Sequence, residues 1–220
     1  LSSPLVTAMA DVPVRYMDDA AFDFFLIEMV NTLRVSSAHA QARARKVEQE
    51  MIDAGLLPAP LPTPAIRKDH RDSATSLASK ATVKVEDEEE GLRLRLEAIG
   101  MHVGANITER ICHGKPYFAE TLESIKFVCK DLWTTCWNKQ VDNLRTNHRG
   151  VYVLQDNSFK PIARLSSWDG RQDAIKRAKV YVMMPAGIVR GALSRLGLIG
   201  IVVPEINSLP QCTFQIKLPK

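Results

Sequence analysis

The chain has 220 residues and a mass of 24.5 kDa, which suits one domain or one domain with an appended segment. Its 45% apolar and 25% charged residues are ordinary globular usage, and 29 basic against 25 acidic side chains leave only +4, which argues against a nucleic-acid coat. No run approaches the roughly 18 apolar residues of a membrane-spanning helix, so such a helix is excluded.

No charged n-region followed by an apolar core opens the chain, so nothing suggests secretion. Four Cys (Cys112, Cys129, Cys136, Cys212) without a Cys-x-x-Cys motif fit reduced, mostly buried thiols of a cytosolic protein. The chain starts with Leu rather than Met, as a fragment or a processed product does. Residues 1–17 read as a disordered N-terminal extension.

From Asp18 and Asp19, the spacing of Phe22, Leu26, Met29, Val30 and Leu33 predicts a helix that continues through Gln41 to Met51 and stops at Gly55. Residues 56 to 85 then carry Pro58, Pro60, Pro62 and Pro64 and a Ser/Thr run from Asp72 to Lys80. Without aromatics or a sustained period, such a stretch cannot offset its ordering entropy, so 56–90 reads as a flexible insertion within one domain spanning 18–219. The acids Glu86 to Glu90 are expected at the N-terminus of the next helix, where carboxylates complement the dipole.

That second helix has two apolar stripes, Leu92, Leu96, Ile99, Val103, Ile107 on one side and Leu94, Ala98, Met101, Ala105, Cys112 on the other. Gly100 and Gly104, one turn apart, leave a notch for another backbone. A third helix is predicted from about Glu120 to Leu144, with Ile125, Val128, Cys129, Leu132, Trp133, Cys136 and Trp137 covering about half its circumference. Strand-like runs follow at Val151–Gln155 and Phe159–Leu165, joined by Asp156-Asn157-Ser158. A helix over Pro185–Leu196 stops at Gly197, and two more strands occupy Ile199–Val203 and Cys212–Leu218. Helices first, then hairpin, helix and hairpin, make an α+β pattern with an antiparallel sheet.

Catalytic arrangements are scarce. Cys112 and His113 are neighbours in sequence and point about 100° apart on a helix, so they cannot form a dyad. The five His are scattered without metal-ligand spacing, and no Gly-rich phosphate loop occurs, so neither metal nor cofactor is expected. Residues 145–195 hold ten Lys or Arg against three Asp, a solvated rim or a face for an acidic partner or an anionic membrane.

Lys126-Phe-Val-Cys-Lys-Asp-Leu-Trp133, Lys139-Gln140 and Leu144-Arg-Thr-Asn-His-Arg-Gly-Val-Tyr-Val-Leu-Gln-Asp-Asn-Ser-Phe159 closely resemble the signature of the Bet-three family of small transport protein particle (TRAPP) subunits, in its subunit-six branch. Gly187-Ile-Val-Arg-Gly-Ala-Leu193, together with Gly100-Met-His-Val-Gly104 and Glu109-Arg110, matches two further family motifs. The resemblance covers roughly 18–55 and 92–219, and the insertion suits a fungal-type member.

The resemblance implies an α+β fold: helices packed on one side of a short, mostly four-stranded antiparallel sheet, a Bet-three-type α/β sandwich. It implies a non-catalytic scaffold that heterodimerises with the Bet-three subunit and joins other small TRAPP subunits. The assembled particle, in turn, is a vesicle tether and a guanine-nucleotide exchange factor for a Rab GTPase. Localisation would be cytoplasmic, peripheral on Golgi or endoplasmic-reticulum-derived vesicles, with no nucleic-acid partner. The Bet-three subunit carries an acylated Cys three residues before a Phe-x-Glu-Thr motif. That motif is Phe118-Ala-Glu-Thr121 here and the position is Lys115, so acylation is not implied.

The expected partner interface is Phe22, Leu26, Met29 and Leu33 on the first helix with Leu96, Ile99, Gly100, Val103 and Ile107 on the second, Val103 facing the partner. One alternative is a small-molecule or lipid-binding module of the related vinyl-reductase-type fold, whose apolar helix faces would line a cavity. A thiol enzyme is the third reading and would need a reactive Cys112.

Overall fold

The computed structural model describes residues 18–58, 73–116, 118–147 and 150–219; of Asp19 and residues 73–88 it describes the backbone course alone. Helix α1 (Asp19–Asp53) begins at Asp18, whose carboxylate accepts a hydrogen bond from the Ala20 amide at 2.7 Å, and it ends at the expected glycine turn. Helix α2 runs Ser73–Cys112. Part of the expected insertion, 73–90, is therefore helical. The acids Glu86 to Glu90 lie in a helix interior, not at an N-terminus. The Pro-rich 59–72 and the extension 1–17 fall outside the described residues.

The third helical segment is shorter than predicted. α3 (Thr121–Phe127) passes through a π turn (Val128–Leu132) into α4 (Trp133–Trp137). It stops there because Asn138 takes a left-handed conformation, φ 55°, and the chain turns back so that the Val141 amide reaches the Cys129 carbonyl. Asn143 and Leu144, expected at this helix's end, open strand β1 (Asn143–Thr146) instead.

β1 pairs with β2 (Val151–Asp156), so the first hairpin is β1–β2, and Asp156-Asn157-Ser158 is not its turn. Phe159–Leu165 is not a strand. Its residues form the short helix α5 (Lys160–Ala163), with Pro161 near the first turn where a missing N–H does no harm. Helix α6 (Arg171–Tyr181) was not apparent in the periodicity, and α7 (Met183–Arg195) starts one turn's half before Pro185. Strands β3 (Ile201–Ser208) and β4 (Gln211–Lys217) close a four-stranded antiparallel sheet in the order β1-β2-β4-β3.

The sheet buries one face. Leu154 and Asp156 of β2, Val202 and Ile206 of β3, and Cys212, Phe214 and Ile216 of β4 alternate inward. Against them stand Trp133, Trp137 and Phe159, whose rings and that of Phe214 meet at 4.3–5.8 Å between centroids, mostly tilted or edge to face.

A buried polar node ties this core together. The Asp156 carboxylate accepts from Trp133 Nε1 at 2.8 Å, from Lys139 Nζ at 2.6 Å and from the Ser158 amide at 3.0 Å. Lys139 also donates to Asp142 at 3.1 Å. Burial pulls the Lys139 pKa down, but its hydrogen bonds to Asp156 and Asp142 outweigh this and hold it above the ordinary value.

The glycine notch is filled from within. Any Cβ on Gly100 or Gly104 would overlap the backbone of Met184 or Ile188 in α7, and any Cβ on Gly187 or Gly191 would overlap that of Glu97 or Met101 in α2. Four glycines let two helices pack backbone to backbone, and Arg190 clamps the pair by donating to Glu97 at 2.6 Å.

Candidate docking surface

Leu26, Val30 and Ser37 fix α1 to the body of the protein. Beside that face, rotated by about 60° at 3.6 residues per turn, runs a second stripe: Phe22, Phe25, Met29, Leu33, Ser36, Ala40, Ala44, Val47 and Met51. Its spacing of three, four and four repeats every eleven residues, close to the helical period, so the stripe stays on one side of α1 for its whole length of about 50 Å.

Phe25 is 62% exposed and Val47 46%; Met29 and Leu33 are half-buried, and Phe22 stacks on Phe25 at 6.5 Å. Large apolar side chains stand open at both ends of the stripe, with the smaller Ser36, Ala40 and Ala44 between them, a surface that a docking partner can cover.

The nine residues expected at an interface divide in two. Leu26, Leu96 and Gly100 are sealed in the chain's own core, because α1 and α2 must first pack on their own domain. Those three are withdrawn as partner-facing. Phe22, Met29, Leu33, Ile99, Val103 and Ile107 keep open surface. On α2, however, the more open stripe is the opposite one: Leu94 is 58% exposed, whereas Leu92 and Leu96 at the end of the Val103 stripe are buried. Phe25, Val47 and Met51 were missed. The signal was present in the sequence as the eleven-residue spacing.

Four cations of the basic region between 145 and 195 are paired within the chain. Arg164 pairs with Asp23 at 2.8 Å, Arg190 with Glu97 at 2.6 Å, Arg195 with Glu109 at 2.6 Å, and Arg177 with Asp169 and Asp173 at 3.3 and 2.6 Å. Folding brings acids from α1 and α2 to cations from the C-terminal half.

No catalytic group emerges from the cysteines. Burial raises the pKa of all four, Cys129 and Cys136 to about 12, and Lys115 only partly opposes this at Cys112. A cleft of about 600 Å³ lies beside Cys112, but Glu109, Lys115 and Arg195 line it along with Phe118 and Leu196. Among the described residues, no cluster of His, Cys, Asp or Glu could hold a metal, and no helix is long and apolar enough to cross a membrane.

A family model described as "Transport protein particle (TRAPP) component" matches residues 22–219. The chain is 44% identical over 126 residues to "Trafficking protein particle complex subunit 6B" of Mus musculus, covering 57% of this chain and 78% of that protein. To "Trafficking protein particle complex subunit 6A" of Bos taurus it is 42% identical over 127 residues, covering 58% and 78%. Among solved structures it is similar to a trafficking protein particle complex subunit 3 from Naegleria fowleri covalently bound to palmitic acid. The TM-score is 0.50 at 14% identity over 67% of this chain and 93% of that chain, a likeness of fold alone.

Proposed function

This chain belongs to the transport protein particle (TRAPP) component family, and on that premise we propose that it is a non-catalytic scaffold subunit that pairs with a Bet-three-type subunit through the apolar stripe of α1. In this reading it contributes surface, not chemistry, to a vesicle-trafficking particle on Golgi or endoplasmic-reticulum-derived membranes. Rab nucleotide exchange belongs to the assembled particle.

The stripe itself supports pairing. A 35-residue helix that leaves Phe25, Val47 and Met51 open to water gains most when another helix covers them, since burial of apolar side chains drives association. Ile99, Val103 and Ile107, half-buried on α2, extend the surface available to that partner.

The test is co-expression with a Bet-three subunit followed by gel filtration of single variants. Phe25→Glu and Val47→Glu should leave a folded chain and remove the dimer, because each places a charge where a partner would desolvate it. A dimer that survives both substitutions would refute pairing through this stripe. The alternative, a module retaining a small molecule or lipid, needs an apolar cavity, and the charged lining of the cleft beside Cys112 makes an apolar ligand a poor fit there.

A further inference from the structure

On the premise that a Bet-three-type subunit lies along the α1 stripe, we propose that a socket at the N-terminal end of α1 receives one aliphatic side chain of that subunit and makes the pairing selective. The socket is a pocket of about 90 Å³ walled by Phe22 and Leu26 of α1, Cys136 and Trp137 of α4, and Pro161 of α5. Phe22 belongs to both features, as the first residue of the stripe and as one wall of the pocket. A helix laid along the whole stripe therefore ends beside the pocket.

Size and lining select the occupant. An apolar cavity of about 150 Å³ holds one benzene, so this pocket is too small for an aromatic ring. It also falls well below the roughly 300 Å³ at which small-molecule sites begin. What it matches is the end of a single Leu, Ile or Met side chain. Its walls are two aromatic rings, a leucine, a proline ring and a thiol whose pKa burial pushes up to about 12, so they favour an apolar group. A cation fits poorly, because Asp23, the one acid of the lining, is already engaged by Arg164 at 2.8 Å.

The socket is built before a partner arrives. The Trp137 ring leans on those of Trp133 and Phe159, with centroids 4.3 and 5.1 Å away, and Asn138 ends α4 just behind it in a left-handed conformation. Thr135 Oγ1, on the rim, donates to the Asp131 carbonyl at 2.8 Å. On the other side, Pro161 is buried, and the pair of Asp23 with Arg164 ties α1 to the end of α5. Walls from three elements that the fold already fixes lose little freedom on binding, and such preformed pockets are where single side chains dominate an interface.

The experiment titrates the purified full chain into a purified Bet-three subunit by calorimetry, as wild type, Cys136→Ala, Cys136→Leu and Cys136→Met. The two larger side chains fill the pocket from its own wall, whereas alanine leaves it open. The expected result is a Kd raised about tenfold or more by Cys136→Leu and by Cys136→Met, and unchanged within about threefold by Cys136→Ala. Wild-type affinity in a filled variant that keeps its melting temperature would overturn the proposal. Equal weakening by Cys136→Ala would do so too, since the thiol itself would then be the contact. If both filled variants melt several degrees lower, fluorine NMR of the wild-type chain labelled with 5-fluorotryptophan decides: the Trp137 resonance must shift when the partner binds, and an unmoved resonance sinks the proposal.

The socket and the stripe fail separately. A dimer that survives Phe25→Glu and Val47→Glu removes the premise, and the socket falls with it. If those two substitutions abolish the dimer while the filled Cys136 variants bind as the wild type does, the stripe stands and only the socket is lost.

Discussion

Gly104 and Ile188 meet backbone to backbone: the carbonyl of Ile188 occupies the space that a Cβ of Gly104 would need. The contact joins α2 to α7 and sets the distance between these two helices.

Gly104→Ala therefore tests the notch with a clear sign. In a free helix the change is favourable by about 1 kcal/mol. Here the neighbour is backbone and cannot swing away, so an overpacking cost of about 3 kcal/mol should dominate and leave a net loss of about 2 kcal/mol. For a chain of this size that lowers the melting temperature by about 4–8 °C. A thermal melt that stays level or rises would mean that the helices are not in close contact.

Removing the cation from the polar node leaves a charge with too few partners. Lys139→Met keeps Asp156 buried with only Trp133 and the Ser158 amide, and should destabilise the chain by about 3 kcal/mol in urea titration. Adding Asp156→Asn to Lys139→Met should recover part of the loss. A double variant as unstable as the sum of the singles would show that the two residues do not act as a pair.

The same node predicts an acid limb. The Asn157 amide, at 2.7 Å, and then Lys139 hold the Asp142 carboxyl below its ordinary 3.8. A carboxylate whose pKa is lowered by folding contributes stability above its unfolded value and loses it as pH falls through the folded value. Asp142→Asn should thus flatten the loss of stability below pH about 4. Lys139, raised by folding, contributes in the opposite sense, its stabilisation fading only as pH climbs above 10.5. An unchanged acid limb in Asp142→Asn would contradict this assignment.

Cys112 should be a slow thiol. Desolvation raises its pKa above 9.0, with Lys115 compensating in part, so little thiolate exists near neutrality. Mass spectrometry of the native chain with iodoacetamide at pH 7.5 should show it reacting more slowly than free cysteine. Faster reaction would revive the thiol-enzyme reading.

The chain alone should leave the rate of fluorescent-nucleotide release from a Rab GTPase unchanged, since a scaffold acts only within its particle. A concentration-dependent acceleration by the isolated chain would overturn the scaffold assignment.

Local rules made much of this fold readable. Asp18 and Gly55 bound α1 because capping and left-handed turns depend on residues close in sequence, and the alternation in β4 exposes its inward face in the same way. The family signature from Lys126 to Phe159 was likewise a contiguous string. What the sequence did not disclose was decided across distance. Asn143 and Leu144 look like the end of a helix until Val151–Asp156 offers them a ladder, and Phe159–Leu165 looks like a strand until Pro161 and the aromatic core favour a helical turn. The glycines announced a close approach, yet only packing identified the visitor as the chain's own α7, which removed Gly100 from any partner's reach. An apolar stripe on a helix is the same string of residues whether it is covered from within or from outside. Which stripe is left for a partner depends on where the other helices lie, and that is a property of the tertiary structure alone.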